Sequence, residues 1–493
     1  MRVLSLKIVF APSIRAGAAA IDFAKIRAEL QIPEHYPPDA EAEATVAAVA
    51  AAAAHRMEGA WPGAASYADR ADDRDVELVT IDPPGAMDLD QVVHIESAGD
   101  GYRVRYAIAD VTAFVAPGGA LDRESRQRAM TLYSPDIRTP LYPTVLSEGA
   151  ASLLPGSDRP AVLWTIELDA SGEPVHVDVR RSIVRSRARL DYPGAQAAAN
   201  VGRLHPSIAL LPQVGMLRLQ AARRRHAIDL DLPDAEVVHD GGGHWTLQRR
   251  AALPVEKYNA QISLLTGMCA AQIMLRAGIG ILRTLPPPTP SQVAALRRAT
   301  AVFAIPWPRD VPPGDVVSEL DASKPREAAF IEDAIQLLRG ADYTPFDGIV
   351  PKQHEHGGLA APYAHVTAPL RRLVDRFATE VCLAVHAGRA VPEWARLALP
   401  ELPGFMTAAA RLTSQLEHAC TQAVSQFLLA GRVGEVLTGI VVQIEPEKDR
   451  ATILLDEPPV RVYGPIDGFS DGSRAAVRLT GVADHRIDVI AVR

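Results

Sequence analysis

Thr80-Ile81-Asp82-Pro83-Pro84-Gly85-Ala86-Met87-Asp88-Leu89-Asp90-Gln91 is the stretch from which the rest of the chain is read. The β-branched run Val76 to Ile81 leads into it and predicts a buried strand. Asp82 stands where that strand ends, Pro83-Pro84-Gly85 turns the chain, and Asp88 and Asp90 follow. Alternation puts Asp88 and Asp90 on one side of an extended segment, so three carboxylates converge in one loop and repel each other unless compensated. A hard divalent cation with oxygen ligands, Mg²⁺ or Mn²⁺, is the usual compensation. The alternative is a solvated acidic turn. The apolar strand that follows, with Val92, Val93 and Ile95, favours a loop pinned against a core.

Outward from this loop, the chain has 493 residues, enough for two to four domains, with 48% hydrophobic and 22% charged residues, as in soluble globular proteins. The net charge of −8 excludes a whole-chain basic field, so any contact with nucleic acid must come from local patches. Cys269, Cys382 and Cys420 sit in apolar, helix-like segments without metal spacing and read as buried free thiols. No apolar run is long enough to span a bilayer, and Lys7 interrupts the apolar N-terminus, a poor fit to a secretory signal. The expectation is a cytoplasmic protein, with no membrane association and no protein partner evident.

Residues 1–75 predict a helical region and a linker: Asp22 caps a helix to about Leu30, Ala40 to His55 is Ala-rich, and Asp69 to Asp75 is a charged connection. Residues 76–404 alternate strands and helices. Ala98-Gly99-Asp100-Gly101 turns a hairpin into Tyr102–Ile108, and Asp169-Ala170-Ser171-Gly172 turns a second. Arg181, Arg185, Arg187 and Arg189 share one face of the following strand and are candidates for phosphate contact, whereas Arg223-Arg224-Arg225 ends a helix from near Leu211 and reads as dipole compensation. Residues 255–280 predict a long buried helix, and 405–433 a connecting helix. Residues 434–493 change to five short strands, the pattern of a small OB-like barrel. The fold class is therefore α+β.

Tyr363-Ala364-His365-Val366-Thr367-Ala368-Pro369-Leu370-Arg371-Arg372-Leu373-Val374-Asp375 is the second informative stretch. Pro369 can open a helix whose free N–H groups attract an anion, and Arg371 and Arg372 add guanidinium forks suited to phosphate. His365 alone would read as structural and Arg371 alone as a surface ion pair; together with Thr367 they favour a phosphate site.

Both stretches resemble signatures of the ribonuclease II/ribonuclease R (RNB) family. The first resembles Asp, five residues, Asp, one residue, Asp-Asp: Asp82, Asp88 and Asp90 match, and Gln91 stands where the family has its fourth Asp. The second is similar to Tyr-x-His-Phe-Thr-Ser-Pro-Ile-Arg-Arg-Tyr-x-Asp. Between them, Thr131-Leu132-Tyr133-Ser134 and Arg189-Leu190-Asp191-Tyr192 resemble further family segments, and Gln261 falls where the family's long helix carries a Glu. The resemblance implies an RNB catalytic domain with mixed sheets and buried helices, followed by an S1-like barrel. It implies 3′-to-5′ hydrolysis of single-stranded RNA to nucleoside 5′-monophosphates. In that reading Asp82, Asp88, Asp90 and Gln91 hold Mg²⁺, Asp90 and Arg371 are catalytic, and Tyr133, Tyr192, His365, Thr367 and Arg372 contact RNA. The family's N-terminal cold-shock barrels find no counterpart in the pattern of residues 1–75. The substitution at Gln91 leaves a catalytically weak or inactive RNA-binding protein on an RNB scaffold as the alternative, and the missing cold-shock barrels leave a phosphodiesterase of short oligonucleotides as a weaker one.

Overall fold

The computed structural model describes residues 21–54, 69–228, 230, 234–239, 245–321, 324–470, 472–483 and 486–492. Helix α1 (Phe23–Glu29) begins at Asp22, whose carboxylate accepts from Lys25 N as the sequence predicts. Helix α2 (Pro38–Ala54) is Ala-rich, and Ala40, Ala44, Ala47 and Ala51 lie on its buried side against the main core. The remaining residues expected in the N-terminal region, 1–20 and 55–68, lie outside the described residues.

The expected linker is partly sheet. Strand β1 (Ala71–Asp72) pairs in parallel with Ser182 and Ile183, Arg70 is buried, and Asp73 accepts from Ser182 Oγ and Arg180. The charged run is tied down because Arg70 pairs with Asp110, Asp73 with Arg180 and Arg74 with Asp158, which composition alone does not reveal.

Strand β2 (Leu78–Asp82) follows, with its first four residues buried. It adjoins β3 (Gln91–Ala98), which forms the predicted hairpin with β4 (Gly101–Ala109). Tyr106 and Val104 face the core of β4, while Arg103 pairs with Glu96 and Glu167. Helix α3 (Ala120–Arg128) has no side-chain cap of its own at Gly119. Glu43 of α2 supplies one: its Oε2 accepts from Leu121 N at 3.1 Å, and a Cβ on Gly119 would meet Glu43 Oε1 at 2.3 Å. The short strands β5 (Leu132–Tyr133) and β6 (Arg138–Thr139) form a small arm. Arg27 of α1 is buried there and donates to Ser134 Oγ at 2.9 Å and Asp136 at 2.6 Å.

Strand β7 (Asp158–Leu168) pairs antiparallel with both β4 and β8 (Pro174–Asp191). The 18 residues of β8 serve two partners: the first part pairs with β7, and the last runs parallel to β2, with Asp82 opposite Asp191. The pairings therefore close on themselves, and the ends of β2 and β8 emerge side by side.

Helix Pro254–Ala277 lies across this sheet and ends at Gly278, whose φ of +71° is the expected left-handed cap. Helices Leu373–His386 and Leu402–Leu429 follow. Residues 436–491 form a closed five-stranded barrel, with strands within a few residues of those predicted. The three cysteines are buried and free. Among the described residues, no helix is long and apolar enough to cross a membrane.

Candidate active site

The acidic loop hangs between β2 and β3. Ala86 N donates to Pro83 O at 3.2 Å, closing a turn with Pro84 and Gly85 at its centre. Gly85 has φ +79°, which such a turn requires of its third residue. Ser152 pins the next residues: its hydroxyl donates to Met87 O at 2.6 Å and accepts from Leu89 N at 3.0 Å. Leu89 is fully buried. Its neighbours Asp88 and Asp90 are therefore fixed in place, as the flanking strands suggested.

Asp82, Asp88 and Asp90 differ in what they touch. Asp82 Oδ2 is buried without a hydrogen-bond partner, and burial pushes this carboxyl up to about 6 despite the nearby Arg371. Asp90 is buried too. Its Oδ1 accepts from Leu370 N at 2.8 Å, and its Oδ2 lies 3.1 Å from Arg371 Nε. Burial still outweighs that cation and raises Asp90 to about 8. Asp88 is matched by Arg138, whose Nη1 is 2.6 Å away and whose Nη2 is 3.0 Å from Glu148. Tyr133 donates more weakly to Asp88 Oδ2 at 3.4 Å and keeps part of its ring exposed.

The stretch containing Arg371 is not the predicted helix start. Pro369 sits in a turn, and the helix begins at Leu373. Its N–H groups do not await an anion: Ala368 N donates to Asp375 Oδ1 at 2.7 Å, Leu370 N to Asp90, and Leu373 N to Ala129 O. Two of these N–H groups are taken by the chain's own carboxylates and the third by a main-chain carbonyl. Arg372 is engaged as well, since its Nε and Nη2 both donate to Asp375 at 2.9 Å. His365 sits in an aromatic setting. It lies between the rings of Tyr343 and Tyr363, bonds Tyr343 Oη at 2.8 Å, and is held well below its usual range by burial, hence neutral. Thr367 is buried, and its carbonyl accepts from Gln91 Nε2. Tyr192 opens the helix Tyr192–Asn200, half-buried, with its hydroxyl 3.4 Å from Asn259 Nδ2. The basic strand divides: Arg181 pairs with Asp110 and Glu380 and Arg185 with Asp158, while Arg187 and Arg189 are exposed.

Gln91 departs furthest from its expected role. Its Oε1 accepts from Tyr106 Oη at 2.5 Å, and its Nε2 faces Thr367 O, so both ends of the amide are engaged away from a metal. Sequence reasoning missed Tyr106 and Arg138. An inward-facing Tyr on β4 signals that its hydroxyl needs a partner; a lone Arg on a short arm carries no such signal.

Among the described residues, no group of three His, Cys, Asp or Glu side chains stands ready to hold a metal ion. The donor chemistry of Asp82 and Asp90 nevertheless fits a hard cation: two buried carboxyls raised by burial, one with an unpartnered oxygen. Gln91 does not fit.

A closed ring of strands carrying this acidic loop, faced by Arg371, and a terminal five-stranded barrel define an RNB-type α+β protein. The RNB domain family matches residues 70–385, so the chain belongs to the RNB family. The chain is 28% identical to ribonuclease R of Aquifex aeolicus over 464 residues, covering 85% of this chain and 64% of that protein. It is 26% identical over 347 residues to the human exosome complex exonuclease RRP44, covering 68% and 35% respectively. The chain thus spans from about a third to just under two thirds of the curated relatives it matches. The apo form of Mycoplasma genitalium RNase R shares the fold, with a TM-score of 0.81 at 18% identity, covering 95% of this chain and 77% of that one. Yeast Ssd1, described as a pseudonuclease, shares it with a TM-score of 0.66 at 17% identity, covering 83% and 51%.

Proposed function

We propose that this protein is a 3′-to-5′ exoribonuclease that degrades single-stranded RNA to nucleoside 5′-monophosphates in the cytoplasm. The observation that carries the reading is the meeting of Asp90 with Leu370 and Arg371, two segments 280 residues apart, around carboxylates whose charge the protein leaves undercompensated. Stable cores pair such charges; sites that await a cationic ligand do not. Mg²⁺ or Mn²⁺ held by Asp82, Asp88 and Asp90 would activate water and neutralise charge on the scissile phosphate. Arg371, partly exposed beside Asp90, would stabilise charge growing on that phosphate. Tyr133 offers a half-exposed ring on which any base can stack. In this reading residues 76–404 form the catalytic unit, 405–433 the connection and 434–493 an S1-like barrel.

Gln91 favours a second reading, an RNA-binding protein with little or no catalysis, because it withdraws one acidic ligand from the family pattern. Purified protein incubated with 3′-tailed and blunt RNAs in Mg²⁺ and then Mn²⁺, with products sized to one nucleotide, separates the two. Release of mononucleotides from tailed RNA supports the first; binding without release under either metal supports the second.

A further inference from the structure

We propose that Gln91 is a positioning residue, whose carboxamide fastens the acidic loop to the turn bearing Arg371, and that a carboxylate at this position cannot do the same task. The inference rests on the exoribonuclease reading for its consequence and on the hydrogen-bond network for its geometry.

The network has a direction. Ser263 Oγ lies 2.7 Å from Tyr106 Oη, Tyr106 Oη donates to Gln91 Oε1, and Gln91 Nε2 donates to Thr367 O. The two ends of the amide cannot be exchanged. Thr367 offers a carbonyl, which only accepts, so the nitrogen must face it. The oxygen then takes the hydroxyl of Tyr106, which is buried and needs a partner. Strand β4, helix Pro254–Ala277 and the Thr367–Arg371 turn are thereby joined through one side chain.

That turn is held to residues 90 and 91 at adjacent points. Gln91 Nε2 grips Thr367 O, Asp90 Oδ1 receives Leu370 N at 2.8 Å, and Asp90 Oδ2 meets Arg371 Nε at 3.1 Å. Asp375 anchors the far side through Ala368 N. An ionised carboxylate at position 91 has no N–H. It would set negative charge against the Thr367 carbonyl, turn attraction into repulsion, and push the Arg371 turn away. The departure from the family's fourth Asp is thus a replacement of function: position 91 organises the site and does not ligate.

The test uses the full chain with Gln91→Glu, which keeps the length and removes the donor, and Gln91→Asp. On 3′-tailed RNA, kcat is expected to fall by about tenfold or more in both, with KM within about threefold, because binding elsewhere is untouched. Mn²⁺ titrated into each protein without RNA, followed by its electron paramagnetic resonance signal, is expected to show no additional ion and no tighter binding. A carboxylate variant that gains activity, binds Mn²⁺ about tenfold more tightly, or takes up a further ion makes position 91 a ligand site and overturns the proposal. Wild-type kcat and Mn²⁺ affinity in Gln91→Glu overturn it as well, by showing the tie to be dispensable. If thermal melting shows that the carboxylate variants do not fold, Gln91→Met is read instead; it removes both polar ends without introducing charge, and wild-type kcat in it sinks the proposal. The Mn²⁺ titration needs no turnover. A wild type that releases no nucleotide therefore overturns the exoribonuclease reading, while the metal arm still decides position 91.

Discussion

Two clusters of buried charge lie close together on the same sheet and behave oppositely. At the end of β4, Asp110 Oδ2 receives Arg70 Nη2 at 2.6 Å and Arg181 Nε at 3.0 Å, and Arg181 also meets Glu380. The guanidinium groups match the carboxylates, and they hold Asp110 below the usual carboxylate range although burial pushes the other way. At the end of β2, Asp82 is half-buried and Asp90, just before β3, is as deeply placed as Asp110, yet both are pushed up, to about 6 and about 8. Burial is common to both, so the difference lies in the partners. The first cluster balances its charges within the chain, although Arg70 Nε and Nη1 have no hydrogen-bond partner; the second has charge left for something from outside.

The largest effect separating them is expected from Asp90→Asn. The amide keeps an acceptor for Leu370 N but loses the charge, so RNA hydrolysis should fall by roughly 10³-fold or more. The same change relieves an undercompensated buried carboxylate, so the metal-free variant at pH 8 should melt a few degrees higher than wild type. Near-native turnover, or a lower melting temperature, would break the contrast. Asp110→Ala should do the reverse. It strands Arg70 and Arg181, and denaturant titration should show a loss of about 3–5 kcal/mol while turnover per folded molecule stays near wild type. A neutral effect on stability would mean that the first cluster is not the structural one.

Arg371→Ala should lower kcat by roughly 10²-fold with little change in the dissociation constant for RNA, measured separately at saturation and by equilibrium binding. If affinity collapses and turnover at saturation holds, Arg371 only grips the strand. A further effect concerns pH. In chelator, folded Asp82 and Asp90 keep protons that the unfolded chain has released, so stability should decline as pH climbs from about 4 towards 8. Asp110 has the opposite sign: its contribution is full above about pH 4 and is lost as pH falls below that. Millimolar Mg²⁺ should flatten the alkaline decline in thermal melts; an unchanged slope would argue against a cation at Asp82 and Asp90.

How far the sequence carried this contrast depended on range. The strand before Asp82, the turn at Gly85, the hairpin at Gly99 and the five barrel strands all rest on local chemistry, and each was legible within a few residues. Arg371 and the acidic loop were legible as separate motifs, and their meeting followed only from the family resemblance. Engagement was not legible. Arg372, Arg181 and Arg185 read as free cations until Asp375, Asp110, Glu380 and Asp158 came within reach. The helix expected at Pro369 failed because Asp90 and Asp375 capture the N–H groups around it, and Asp90 lies far away in sequence. Gln91 read as a weakened ligand because nothing local announces that Thr367 O waits opposite its nitrogen.

The bond from Leu370 N to Asp90 also bears on how the protein is made. Carboxylates at residues 82–90 leave the ribosome long before their counterpart at 371, and a contact spanning 280 positions cannot close until residue 370 has emerged. Until then the acidic loop lacks its arginine, and under the exoribonuclease reading a chain truncated anywhere before it would have no complete cutting centre. In a nuclease that would be synthesised beside messenger RNA, such wiring delays competence until most of the polypeptide has been produced.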